Sequence, residues 1–373
     1  MYIKNSTIIR KQYIFSLRKI HDRLVSFIFL FLQKHKSMTS IIKKSILAVC
    51  ALCLLMACNQ EKTIHFQGFA IGTYYSITYI GKENADLPRA VDSILNDISK
   101  TFSIFDTTSL ISKVNANKTL RLNQDFIAVF NTALEISELT EGAFDATVAP
   151  LVNIWGFGRE KQIEITQKEI DSLMAIVGYK KVSIQKQEII KSDPRIQLNF
   201  NAIAKGYAVD KISQYLISKG YSDCLVDIGG EVVARGTKNG KDWQIGIQIP
   251  TETAEGDIAA DYVFNLQNRA VATSGNYRRY HEENGERFSH IINPKTGQSE
   301  RSNLLSVTVI AANCTYADAL ATAFMVMGLD ASMQFLDKHP HYAAYFIYDD
   351  KGKFKTKKTA NFPEKSKQTD AEL

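Results

Sequence analysis

Apolar residues recur with two different periods along this chain, and the switches between periods mark out its elements. Residues 63–80 alternate apolar and polar with Gly68 and Gly72 as interruptions, which predicts a bent strand or hairpin. Residues 87–102 place Val91, Ile94, Leu95 and Ile98 on one face of a helix. A second amphipathic helix is predicted over 124–139, stopped by Glu141-Gly142, and Thr166-Gln167-Lys168-Glu169 has the capping-box spacing that opens a third. A short strand over 196–200 is expected to feed a helix over 202–219. Strand-like runs then dominate, at 224–228, 231–234, 243–249, 262–266, 270–273 and 304–311. Helices follow at 315–327 and 331–338, then a last strand at 342–348. Strand runs grouped apart from helix runs predict an α+β fold, with mixed or antiparallel sheets and flanking helices, over a doubly wound one. Residues 58–355 are expected to form a single domain or two intimately joined lobes, and the Lys/Glu/Thr-rich residues 356–373 a flexible tail.

The N-terminal apolar runs belong to targeting rather than folding. Ile41-Ile42-Lys43-Lys44 is a charged stretch, residues 45–56 are apolar, and Leu55-Met56-Ala57-Cys58 sets small residues before a cysteine. That pattern resembles a bacterial lipoprotein signal with Cys58 as the lipidated residue, and the apolar stretch is well short of the ~20 residues a membrane span needs. Residues 1–57 are therefore read as a leader, with Met38 the expected true start. The leader takes Cys50 and Cys53 with it, so their Cys-x-x-Cys spacing carries no chemistry. It also holds ten basic residues and one acidic, a surplus of nine, so the formal +6 of the whole chain becomes −3 from residue 58 onward. No basic surplus is left to suggest nucleic-acid binding. Cys224 and Cys314 remain, enough for one disulfide in an oxidising compartment but not for a framework.

Four segments carry candidate chemistry. Asp318 and Thr322 lie one turn apart on a helix face and offer only oxygen, which suits a hard cation such as Mg²⁺. The same spacing also fits an acid placed for the helix dipole and a threonine packed in the core. Asn201 to Tyr207 opens a helix directly after a strand, where free N–H groups face anions, and Lys205 adds a point charge suited to phosphate or simply solvated. His290 ends an apolar strand before the Asn293-Pro294-Lys295-Thr296-Gly297 turn, a position for a general base. Asp227-Ile228-Gly229-Gly230-Glu231 brings backbone close to a neighbour or makes a tight turn. Neither a dinucleotide-binding glycine fingerprint nor a P-loop accompanies it.

In order along the chain, the segments Phe69 to Tyr75, Phe102 to Asp106, Gly142 to Asp145, Asn199 to Asp210, Asp227 to Glu231, Ala272 to Gly275, His290 to Gly297 and Thr315 to Thr322 resemble the ApbE-type FAD:protein FMN transferase family. The resemblance implies a two-lobed fold with FAD in the cleft, and an extracytoplasmic, periplasm-facing enzyme held to a bacterial membrane by its lipid anchor. The implied reaction is Mg²⁺-dependent transfer of FMN from FAD to a Ser/Thr hydroxyl of a partner flavoprotein, with release of AMP. By resemblance, Asp318, Thr322 and the carbonyl of Ala202 form the metal site. Ile71, Phe105, Ala143, Phe144, Asp145, Asn199, Lys205 and Ile292 line the FAD pocket. The base that takes the hydroxyl proton is His290, Asp318 or another carboxylate near the metal. Asn199 and Asn293 stand where the family often has Asp, Ile71 where Met is frequent, and Ala321 where some relatives have a further acidic ligand. Two other readings stay open: an FAD pyrophosphatase giving FMN and AMP, and a lipoprotein that only binds flavin.

Overall fold

The alternation of residues 63–80 closes into a hairpin of β1 (Lys62–Ala70) and β2 (Thr73–Gly81), joined by Ile71 and Gly72, both with positive φ. The computed structural model describes residues 62–158, 165–248, 260–276, 280–283, 286–300 and 302–366. Helices α1 (Leu87–Phe102), α2 (Leu110–Asn115), α3 (Gln124–Leu139), α4 (Ala149–Ile154) and α5 (Gln167–Met174) follow, then a small ribbon of β3 (Val182–Gln185) and β4 (Glu188–Lys191). After α6 (Ala204–Ser218) come β5 (Cys224–Ile228), β6 (Glu231–Arg235), β7 (Trp243–Gln248), β8 (Ala260–Leu266), β9 (Arg269–Gly275), β10 (Tyr280–Glu283), β11 (Glu286–Ser289) and β12 (Leu304–Ala311). The described chain ends with α7 (Cys314–Lys338), β13 (Ala343–Asp350) and β14 (Lys353–Lys358).

Eight strands make one sheet in the order β1-β2-β5-β6-β9-β12-β13-β14, and every neighbouring pair is antiparallel. Successive side chains of its central strands go to opposite faces. Val233, Ala270, Ala272, Val307 and Val309 pack with the helices, whereas Val232, Ala234, Val271 and Ile310 pack with Trp243, Ile245 and Phe264 of the β7–β8 ribbon. A sheet covered on both faces buries its apolar residues twice over and gives the expected α+β architecture. Helix α7 is long and apolar enough to cross a bilayer, but its apolar residues are core: it packs on β9, β12 and α6. The two helices expected over 315–338 are one run broken at Gly328, whose φ of 77° and ψ of 174° leave the helical region.

Two expectations differ from the structure. Residues 196–200 form no strand. Ile196, Leu198 and Phe200 are buried in strand-like alternation, but Asn115 supplies the missing ladder: its Nδ2 donates to the Leu198 carbonyl and its Oδ1 accepts the Leu198 N–H, both at 2.8 Å. The tail expected from residue 356 is structured as far as 366. Strand β14 pairs with β13 through Lys358, and Phe362, 2 % exposed, packs on Phe264 and Tyr345 under the second face of the sheet. A lysine-rich edge strand reads as solvated tail because only its backbone is used. The leader with Cys58, and residues 367–373, lie outside the described residues. Phe362→Ala is expected to lower stability by about 3–5 kcal/mol in urea unfolding; an unchanged midpoint would mean the segment is dispensable.

Candidate active site

Helix α6 starts without a side-chain cap of its own, since Ile203 occupies the N-cap position. The cap comes from another helix. Asp318 on α7 accepts the Gly206 N–H through Oδ2 at 2.9 Å. That N–H is one of the first four of the helix, which have no partner within it. Gly206 makes the contact possible, because a Cβ there would collide with the Cys314 carbonyl and stand 2.9 Å from the Asp318 Cβ. Helix α6 returns the service: Asp210 accepts the N–H of Cys314 at 2.9 Å, the N–H of Thr315 at 2.8 Å and the Thr315 hydroxyl at 2.6 Å. Each helix thus places a buried carboxylate on the positive N-terminus of the other. Burial raises both carboxyls above their ordinary range. Lys205 and the Gly206 N–H oppose the rise at Asp318, and the three donors of Thr315 and Cys314 oppose it at Asp210.

Lys205, one residue before Gly206, forms an ion pair with Glu231. Burial works against the ammonium, but Glu231 and Asp318 outweigh it and hold Lys205 above the usual lysine range. Burial likewise raises Glu231, with Lys205 pulling it back. Glu231 opens β6 after the Gly229-Gly230 turn, which Asp227 closes by accepting the Gly230 N–H at 2.9 Å. Gly229 in turn donates to the Tyr74 carbonyl at 3.0 Å, so the β1–β2 turn that carries Ile71 adjoins the same corner. Ile71 has a φ of 46°, a strained conformation for a β-branched residue that persists only where its surroundings fix it.

The other expected residues divide into two further groups. Asn199 donates its N–H to the Ala146 carbonyl at 2.8 Å and accepts the Asn201 N–H at 2.9 Å, which joins the Ala143-Phe144-Asp145 segment to the start of α6. Ala143 and Phe144 are buried, so they have mainly backbone to offer a ligand. Asp145 is engaged through both oxygens, accepting from the Thr147 N–H and hydroxyl and from the Tyr179 N–H, each at 2.7 Å. Burial lifts its carboxyl and these donors oppose the rise. His290 sits edge-on to Phe157 with ring centroids 6.3 Å apart, and Ile292 is buried with Leu151, Trp155 and Ile170. Phe105 is two-thirds exposed, an open aromatic face. Thus Asp318 and Lys205 are brought together at the start of α6, just after Ala202 in the chain, with Thr322 one turn along α7 and partly exposed. Reading the sequence alone missed the roles of Glu231 and Asp210. The signal for Glu231 was a carboxylate flanked only by glycine and valine; Asp210, beside Lys211, carried no such signal.

The expected donor set, the Asp318 carboxylate, the Thr322 hydroxyl and the Ala202 carbonyl, is all oxygen. Among the described residues no group of three or more His, Cys, Asp and Glu gathers as a soft-metal site would require. The corner fits a hard, oxygen-binding cation. Fold and site together define an α+β protein whose lysine-flanked, oxygen-lined helix junction is suited to a charged phosphate ligand. Residues 71–346 match the ApbE family model, and the chain belongs to that family. It is 36% identical over 334 residues to the FAD:protein FMN transferase of Haemophilus influenzae, covering 85% of this chain and 96% of that protein. Its fold is similar to that of the flavin transferase ApbE from Vibrio cholerae, with a TM-score of 0.73 at 31% identity over 81% of this chain and 98% of that one. The apo form of the flavinyl transferase ApbE from Pseudomonas stutzeri superposes with a TM-score of 0.72 at 31% identity, covering 81% and 96%. Gly206→Ala is expected to force α6 off α7 and cost about 1–3 kcal/mol of stability. A thermal melt identical to the parent's would contradict the close approach.

Proposed function

We propose that this chain is an FAD:protein FMN transferase whose reaction centre is the junction of α6 and α7. The observation that carries the reading is the buried Asp318 carboxylate set across Gly206, beside Lys205, at the start of a helix. The hydroxyl oxygen of an acceptor Ser or Thr attacks the FMN phosphorus of FAD. A new P–O ester bond forms, the bond from that phosphorus to the bridging oxygen breaks, and AMP leaves with that oxygen. Mg²⁺ held by Asp318, Thr322 and the Ala202 carbonyl would supply neutralisation of the diphosphate charge. Lys205 adds positive charge from the protein side, at the positive N-terminal end of α6. Asp318 is anchored through Oδ2 by Gly206, which orients Oδ1 without using it. The hydroxyl proton goes to a base: His290 beside Phe157, or a carboxylate of the corner. Ile71, Phe105, Ala143, Phe144, Asp145, Asn199 and Ile292 are the proposed flavin-side lining.

Cys58 and the residues before it support a lipid-anchored, extracytoplasmic enzyme. Cys58→Ser is expected to move the protein from the membrane to the soluble fraction; retention in the membrane would refute the anchor. For the reaction itself, the protein is incubated with FAD, Mg²⁺ and an acceptor domain carrying a candidate threonine, then analysed by mass spectrometry. An FMN adduct with stoichiometric AMP is the expected result, and Asp318→Ala is expected to lower its rate at least about a hundredfold. Free FMN and AMP without an adduct would identify a pyrophosphatase, and intact FAD a binding protein.

A further inference from the structure

Glu231 has no role in the transfer described above, yet at 2 % exposed it is more deeply buried than Asp318 or Asp210 at 6 %. Its Oε1 meets the Lys205 ammonium, while its Oε2, also buried, has no hydrogen-bond partner among the described residues. A carboxylate so placed depends on one cation. If that cation leaves, both oxygens are stranded away from water. Lys205, by contrast, stands within electrostatic reach of two acids, Glu231 and Asp318. Asp318 has a second source of compensation in the Gly206 N–H. The lysine therefore goes to the acid with less support.

We propose that Glu231 is a positioning residue: it retains Lys205, and by doing so keeps Asp318 available to a divalent cation. This inference rests on the cation site proposed above. The formal charges of Asp318, Glu231 and Lys205 sum to −1. Neutralising Glu231 brings the sum to zero and frees Lys205 to turn toward Asp318, where ammonium and divalent ion compete for one carboxylate. Neutralising Lys205 as well returns the sum to −1 and removes the competitor. A residue that merely supported the fold, or that bound the metal directly, would not be rescued in this way.

The test is Mn²⁺ binding to the purified protein, read from the electron paramagnetic resonance signal of free Mn²⁺ with no turnover involved. Glu231→Gln is expected to weaken Mn²⁺ binding about tenfold, and Lys205→Met in the same chain to restore it to within about threefold of the parent. The glutamine is present in both chains, so recovery cannot come from a folding defect. If Glu231→Gln does not fold, Glu231→Asp takes its place: it shortens the arm that holds Lys205 and is expected to be rescued by the same second substitution. Unchanged binding in the single variant overturns the proposal, and so does equal weakness in single and double variants. Asp318→Ala separates the two levels of failure. If it binds Mn²⁺ like the parent, the cation site itself is wrong. If it loses binding while Glu231→Gln does not, only the role of Glu231 falls.

Discussion

Helices α6 and α7 end each other's orphaned N–H groups with carboxylates, and the candidate site exists because of that exchange. A helix start that is buried must find acceptors for its first N–H groups. Here Asp318 serves α6 and Asp210 serves α7, each reaching across the interface. Neither bond would be possible at an ordinary interhelical distance, and the absence of a side chain at Gly206 is what brings the backbones close enough. A structural solution to capping thus holds the Asp318 carboxylate by one oxygen at the start of α6, within electrostatic reach of Lys205.

Burying this much charge is expensive unless each group is compensated. Asp210 is compensated by three donors, Asp318 by one donor and the nearby lysine, and Glu231 chiefly by Lys205, with its own backbone N–H a smaller contribution. The gradient runs from the structural acid to the acids beside the candidate site. Incomplete compensation is what an active site requires, since a carboxylate with every lone pair engaged has nothing to give a ligand. Asp145 illustrates the opposite case. Its oxygens take three protein donors, so it fixes the turn that leads into α4 and holds Tyr179.

Much of this was legible in the sequence wherever the signal was local. The Asp318–Thr322 spacing, the helix start around Lys205 and the alternation of the central strands all depend on neighbours a few residues away. What was hidden depends on partners far along the chain. Glu231 reads as one end of a glycine turn until β6 is placed beside Lys205, and Asp210 reads as a helical acid until α7 arrives. The missing strand at 196–200 is of the same kind, for Asn115 substitutes a side-chain amide for a neighbouring strand across a gap of 83 residues. Phe362 was hidden for the converse reason: the surrounding Lys, Thr and Asn outweigh one aromatic in any composition window, though that aromatic fills the second core.

Asn199 and Asn293, two asparagines for which the family resemblance led us to expect acids, follow the same logic of compensation. Asn199 uses its Oδ1 to accept the Asn201 N–H in a turn, a task a carboxylate oxygen performs equally, so this departure changes charge while keeping shape. Asn293 is different. Its Oδ1 accepts the Lys295 N–H at 3.0 Å, but its Nδ2 donates to Glu300 at 3.3 Å. An aspartate could keep the first bond and would turn the second into a repulsion between carboxylates. Asn293 and Glu300 are therefore a matched pair, in which a neutral amide closes the turn after His290 and also answers an acid seven positions along.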